Sequence, residues 1–151
     1  MKIDYERYEQ IYKERAQEKL PGEQILGAWL FYRTGGFASM AAGPLSPLVG
    51  VIIRTIGKKR AAGFPNMFLI VVTPTEVRAF KAKSRRMDIK LGDELAVWDR
   101  ASLTVTVREA AINNEVTFES PTEGEKVRCS TGKDRHSNAI LALLQEQPAA
   151  A

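Results

Sequence analysis

One histidine and one cysteine, His136 and Cys129, are all that the 151 residues offer of the two side chains most used in nucleophilic and metal chemistry. Within one chain that supply excludes a disulfide, a Cys/His zinc site and a Cys–His catalytic pair. His136 has the chemistry of a general base, but no nucleophile signature accompanies it, and a place at the edge of the core is expected. Cys129 alternates with Val127, the pattern of a buried and inert thiol. Asp88, Asp93, Glu94 and Asp99 are carboxylates of the kind that pair for acid–base work. At strand and turn positions they are expected instead to cap turns and stay solvated. Gly57-Lys58-Lys59, preceded by Gly50, has the look of a phosphate-binding loop. Its glycine spacing is two residues too long, and lysine stands where serine or threonine is needed. No catalytic residue, metal site or cofactor is assigned, and the chain is expected not to be an enzyme.

The remaining chemistry is charge. The net +4 is unevenly distributed: −1 over residues 1–24, +9 over 25–90 and −4 over 91–151. Two clusters dominate the middle third, Lys58-Lys59-Arg60 and the run Arg78, Lys81, Lys83, Arg85 and Arg86. Such a field attracts phosphates, anionic lipid or an acidic partner. Lys83, Arg85 and Arg86 are the candidate anion-binding residues. Charge runs more often mark solvated faces, and neutralisation of the middle third against the acidic last third is the competing expectation. Trp29, Phe31, Tyr32 and Phe80 lie near cations and could stack single-stranded bases, although barrel-core aromatics give the same pattern.

Residues 34–53 hold no charge, which is the length of a membrane span, yet they contain two prolines and four glycines. Irregular backbone facing lipid leaves peptide groups unpaired, so a transmembrane helix is not expected. Ser46-Pro47 has the form of a helix start, and Leu48, Val51, Ile52 and Ile56 then share one face of a short helix over about 47–60.

These residues are to be positioned by one domain spanning 1–151, long enough to bury roughly 68–70% of its unfolded surface. A helix is predicted over 4–20, with Asp4 as its cap. Its Tyr5, Tyr8, Ile11, Tyr12 and Ala16 form a stripe expected to dock it on its own domain, a partner-binding face being the competing reading. Strands are predicted at 24–33, 67–73, 77–83, around 86–89, at 94–98, 103–108, 116–120 and 125–131, with turns at 73–76, Gly92-Asp93 and Asn113-Asn114. In the last strand Val127, Cys129 and Thr131 face one way and Lys126, Arg128 and Ser130 the other. A final helix over about 135–147 presents His136, Ile140, Leu143 and Leu144 inward.

The order of elements, with Leu20-Pro21-Gly22-Glu23-Gln24-Ile25-Leu26 entering the first strand, Leu69 to Phe80 as a hairpin and Ala139-Ile140-Leu141-Ala142-Leu143-Leu144 closing the chain, resembles the pleckstrin-homology-like domains of the bacterial PH and GRAM-like type. The likeness covers 22–147. It departs from a minimal member in the added helix at 4–20 and an expanded connection at about 34–65. The resemblance implies a β-rich α+β fold: an antiparallel split barrel of about seven strands capped by the C-terminal helix. It implies a binding module, since members bind phosphoinositides in some cases and peptides or partner domains in many others. The strict basic motif of the lipid-binding type is not reproduced, so phosphoinositide specificity is not carried over.

The expectation is a cytoplasmic adaptor, without a signal peptide, that associates peripherally with an anionic membrane or membrane complex. Leu48, Val51, Ile52 and Ile56 would enter the interface. Lys58, Lys59 and Arg60 would meet head groups, at roughly 1 kcal/mol each. The alternative is a soluble protein–protein module or a homo-oligomer using the same apolar segment on an unknown partner. Nucleic acid ranks third.

Overall fold

The computed structural model describes residues 5–33, 64–86, 88–121 and 126–146. Their order is α1 (Tyr5–Lys19), β1 (Gly27–Arg33), β2 (Met67–Val72), β3 (Glu76–Arg85), β4 (Asp88–Asp99), β5 (Thr104–Glu109), β6 (Asn114–Glu119), β7 (Lys126–Thr131) and α2 (Arg135–Gln145). The architecture is β-rich α+β. The strands form one antiparallel sheet in the order β4-β3-β2-β1-β7-β6-β5.

The sheet curls strongly without closing. Trp98 of β4 stacks on Phe118 of β6 with ring centroids 5.2 Å apart and planes 9° apart. Those strands are five spacings apart in sheet order, roughly 24 Å in a flat sheet. Only a curled sheet brings the rings together. Phe31 stacks on Phe68 and meets Phe118 in the same cluster, each of the three 1% exposed or less. β4 and β5 remain the two edges and do not pair with each other.

β2 is an apolar run because both its faces are covered: Phe68 to Val72 are fully buried. α1 packs on β1 and β4, and α2 packs on β1 and β5. The aromatic stripe of α1 docks as its spacing predicts, with Tyr12 and Ala16 buried and Tyr8 and Ile11 half-buried. Gly22, at φ +84°, reverses the chain after α1, a conformation that glycine adopts without a Cβ clash. Gln17 Nε2 donates to the carbonyls of Leu20 and Glu23 across that turn.

α2 starts at Asp134, whose carboxylate accepts from the backbone N–H groups of His136 and Ser137. At its other end the buried Arg100 donates to the Leu143 carbonyl at 3.0 Å. A cation there complements the partial negative charge of the helix C-terminus.

Two local expectations are corrected. Gly92-Asp93 is not a turn between two strands: β4 runs through it, and register shifts opposite Ala79 to Ala82 absorb the extra residues as a bulge. Asn114 begins β6, because its buried side chain donates to the Gly132 carbonyl and the Asn138 side chain. Ser130 lies where β7 pairs with β1 through Tyr32, and it is 6% exposed. Among the described residues no helix is long and apolar enough to cross a membrane.

Candidate basic surface and the histidine junction

Lys81, Lys83 and Arg85 are odd-numbered positions of one strand, so they point to one face of β3. Val77 and Ala79 carry that same face into the core at 1% and 0% exposure. The pairing of β3 with β2 reaches its last partners at Phe68 and Lys81. Beyond them β3 and β4 continue as a two-stranded ribbon past the end of β2. One face of the ribbon is buried through Ala82, Ile89 and Leu91. The other carries exposed Lys81, Lys83, Arg85 and Lys90, with exposed Arg86 next to its tip.

Register places Lys90 directly opposite Lys83, and Asp88 directly opposite Arg85. Like charges so placed destabilise a sheet by about 0.2–1 kcal/mol. Among the described residues, no carboxylate lies within ion-pair distance of Lys81, Lys83, Arg85, Arg86 or Lys90. Neutralisation of the middle third by the acidic last third is therefore not found at this cluster. Between the two parts only Arg78–Glu94 pairs among the described residues.

Arg78 leaves the cluster in which sequence proximity placed it. Its even number turns it to the opposite face of β3, where Glu94 at 2.8 Å, Glu76 at 2.9 Å and Glu23 at 3.5 Å surround it. Lys90 takes its place. The missing signal was strand parity and the β3–β4 register, which the expected turn at Gly92-Asp93 had obscured.

β1 and β3 both run antiparallel to β2, so Arg33 and Arg85 end at the same end of the sheet. Arg33 N–H donates to the Asn66 carbonyl, and its guanidinium donates to the Phe64 carbonyl. Arg33 and Phe64, which flank residues 34–63, thus lie at the end of the sheet where the basic ribbon projects. Leu48, Val51, Ile52, Ile56, Lys58, Lys59 and Arg60, and the helix expected over 47–60, lie outside the described residues.

The other candidates resolve into structural roles. The His136 side chain is 10% exposed and its Nδ1 meets Glu9 Oε2 at 2.6 Å. Its ring stacks on Trp29 and on Tyr5, at centroid distances of 5.3 and 6.0 Å. Ser137 and Asp134 stand beside it without forming a triad. The fully buried Ser137 Oγ accepts from Trp29 Nε1 at 2.8 Å and donates to Asp134 Oδ1 at 2.6 Å. Nucleophile and base therefore have different partners. Cys129 is fully buried, and desolvation pushes its thiol well above the usual range. Asp99 caps its turn by accepting from the Ala101 N–H, as expected, whereas Asp88 pairs with Arg15 and Glu94 with Arg78. Trp29, Phe31 and Phe80 are 8%, 0% and 3% exposed, so they belong to the core; Tyr32, at 45%, does not. Among the described residues no group of three His, Cys, Asp or Glu could hold a metal ion.

Compared with known proteins, the chain matches no family model, no curated protein and no solved structure.

Proposed function

We propose that the protein is a non-catalytic, pleckstrin-homology-like binding module that associates peripherally with an anionic membrane surface. The contact is made by the end of the sheet that carries Lys81, Lys83, Arg85, Arg86 and Lys90 together with the 37–60 segment. The observation that carries this reading is the convergence of two sequence-distant features. A cationic ribbon whose Lys81, Lys83, Arg85, Arg86 and Lys90 have no ion pair among the described residues projects at the end of the sheet where Arg33 precedes residues 34–53, which are uncharged. An interfacial binder needs this pair: apolar residues to enter the head-group boundary and cations beside them to meet lipid charge. The cross-strand Lys83–Lys90 repulsion, a cost in the free protein, is offset when a phosphate attracts both ammonium groups.

The test is flotation of the intact chain with phosphatidylcholine vesicles, with and without phosphatidylserine. Binding to the charged vesicles that is weakened by salt and lost on deletion of 36–62 is the expected result. Binding that ignores lipid charge and survives the deletion sinks the proposal. If neither vesicle is bound and light scattering shows a dimer that the deletion dissociates, the apolar segment serves a second copy instead.

A further inference from the structure

The basic ribbon has a carboxylate built into it. Asp88 is the only acidic residue between 81 and 91, and it sits directly opposite Arg85. Cross-strand neighbours of opposite charge ordinarily pair. Here Asp88 is engaged elsewhere. Arg15 of α1, which packs against β4, grips it with a two-pronged fork: Nε donates to Oδ1 at 3.1 Å and a terminal nitrogen to Oδ2 at 3.0 Å. Oδ1 also accepts from the Ile89 N–H at 2.7 Å. Both carboxylate oxygens are thus occupied in a planar geometry that suits guanidinium better than ammonium. Glu18 holds the Arg15 guanidinium from the helix side. The hydrogen bonds from Arg15, ahead of every other influence, hold the Asp88 carboxyl below the usual carboxylate range, and Arg85 adds to the same effect through space.

We infer that Arg15 is a positioning residue for the anion-binding surface: by occupying Asp88 it keeps Arg85 from being neutralised by its own cross-strand partner. α1 is then more than a cover for β1 and β4, because its docking sets how many cations the ribbon presents. An α1 that lets go of Asp88 returns that carboxylate to Arg85 and lowers the charge of the surface. The lipid consequence rests on the membrane reading above; the exchange of partners at Asp88 does not.

The experiment has two arms. The first is binding to phosphatidylcholine vesicles containing phosphatidylserine, measured for the intact chain and for Arg15→Ala, Arg15→Lys, Asp88→Asn and the Arg15→Ala/Asp88→Asn double variant. Losing one cation at an anionic surface is worth about fivefold in affinity. Arg15→Ala is expected to weaken binding by about that factor, and Arg15→Lys by less, since an ammonium still occupies Asp88. In the Asp88→Asn background, Arg15→Ala is expected to change nothing. If Arg15 merely contributed its own charge, the loss would be equal in both backgrounds, and that equality overturns the inference.

The second arm uses no lipid: carbon NMR titration of the Asp88 carboxyl. Arg85→Ala is expected to raise the Asp88 midpoint by more in Arg15→Ala protein than in the intact chain, because Arg85 has become its partner. An equal rise in both backgrounds, or none, overturns the exchange. A wild-type chain that ignores charged vesicles while this coupling is present overturns the membrane reading and leaves the exchange standing.

Discussion

Replacing Ser137 by alanine is expected to destabilise the fold by far more than one small side chain suggests. Ser137 is on α2 and Trp29 is on β1, 108 residues away, and the Ser137 hydroxyl is the acceptor for the Trp29 indole N–H at 2.8 Å. Both residues are buried, Ser137 completely. Alanine leaves that N–H without a partner and out of reach of bulk water, which costs about 1–3 kcal/mol. It also removes the hydroxyl that donates to Asp134, the α2 cap, whose other oxygen keeps the His136 and Ser137 N–H groups. The two losses sum to about 2–3 kcal/mol, with the orphaned donor as the larger part. For a chain of this length that lowers Tm by about 2–4 °C per kcal/mol. The assay is urea unfolding followed by circular dichroism, for Ser137→Ala, Trp29→Phe and the double variant. In the Trp29→Phe background no N–H is left to orphan, so Ser137→Ala is expected to cost only about 1 kcal/mol. A Ser137→Ala cost below about 0.5 kcal/mol, or an equal cost in both backgrounds, refutes the reasoning.

Gly132→Ala is expected to cost about 1 kcal/mol, the worth of a helix cap, because a Cβ there would lie 2.7 Å from Asp134 Oδ1 and 3.1 Å from Ser137 Oγ; thermal melts check it. Cys129 is expected to resist thiol reagents at mildly alkaline pH and to react fully once urea unfolds the chain, since burial keeps its thiol protonated; reaction of the native protein at the unfolded rate counts against this. The Tyr12 phenol, pushed up to about 12 by desolvation and then by its neighbours Tyr32 and Tyr8, stays neutral in the fold after an unfolded tyrosine ionises near 10.0. Its contribution to stability is full below the unfolded value and is lost as pH rises from there to about 12, so Tyr12→Phe is expected to flatten that part of the alkaline stability curve.

The parts of this fold legible from the chain alone are those written in periodicity. Val105 and Val107 alternate with Thr104 and Thr106, and β5 lies there. Ile140 and Leu144 recur at helical spacing and are buried on α2, where Leu141 joins them unforeseen. What periodicity does not encode is register. The Gly92-Asp93 bulge, the placement of Lys90 against Lys83, and the departure of Arg78 to the other face all follow from how β3 and β4 align. Pairs formed across the chain were hidden for the same reason. Nothing near Arg15 announces Asp88, and nothing near Glu9 announces His136. Of the anion-binding candidates, Lys83, Arg85 and Arg86 are exposed cations of the ribbon beside Lys81 of the same run, whereas Lys90 joins them only through the folded strand pair.

The most direct measurement is the affinity of the intact chain for phosphatidylcholine vesicles with and without phosphatidylserine, before and after Lys83, Arg85 and Lys90 are replaced together by glutamine. Three cations at about 1 kcal/mol each correspond to a loss on the order of a hundredfold on charged vesicles, with the weak binding to neutral vesicles unchanged. Equal affinity of the two proteins for charged vesicles would contradict the account.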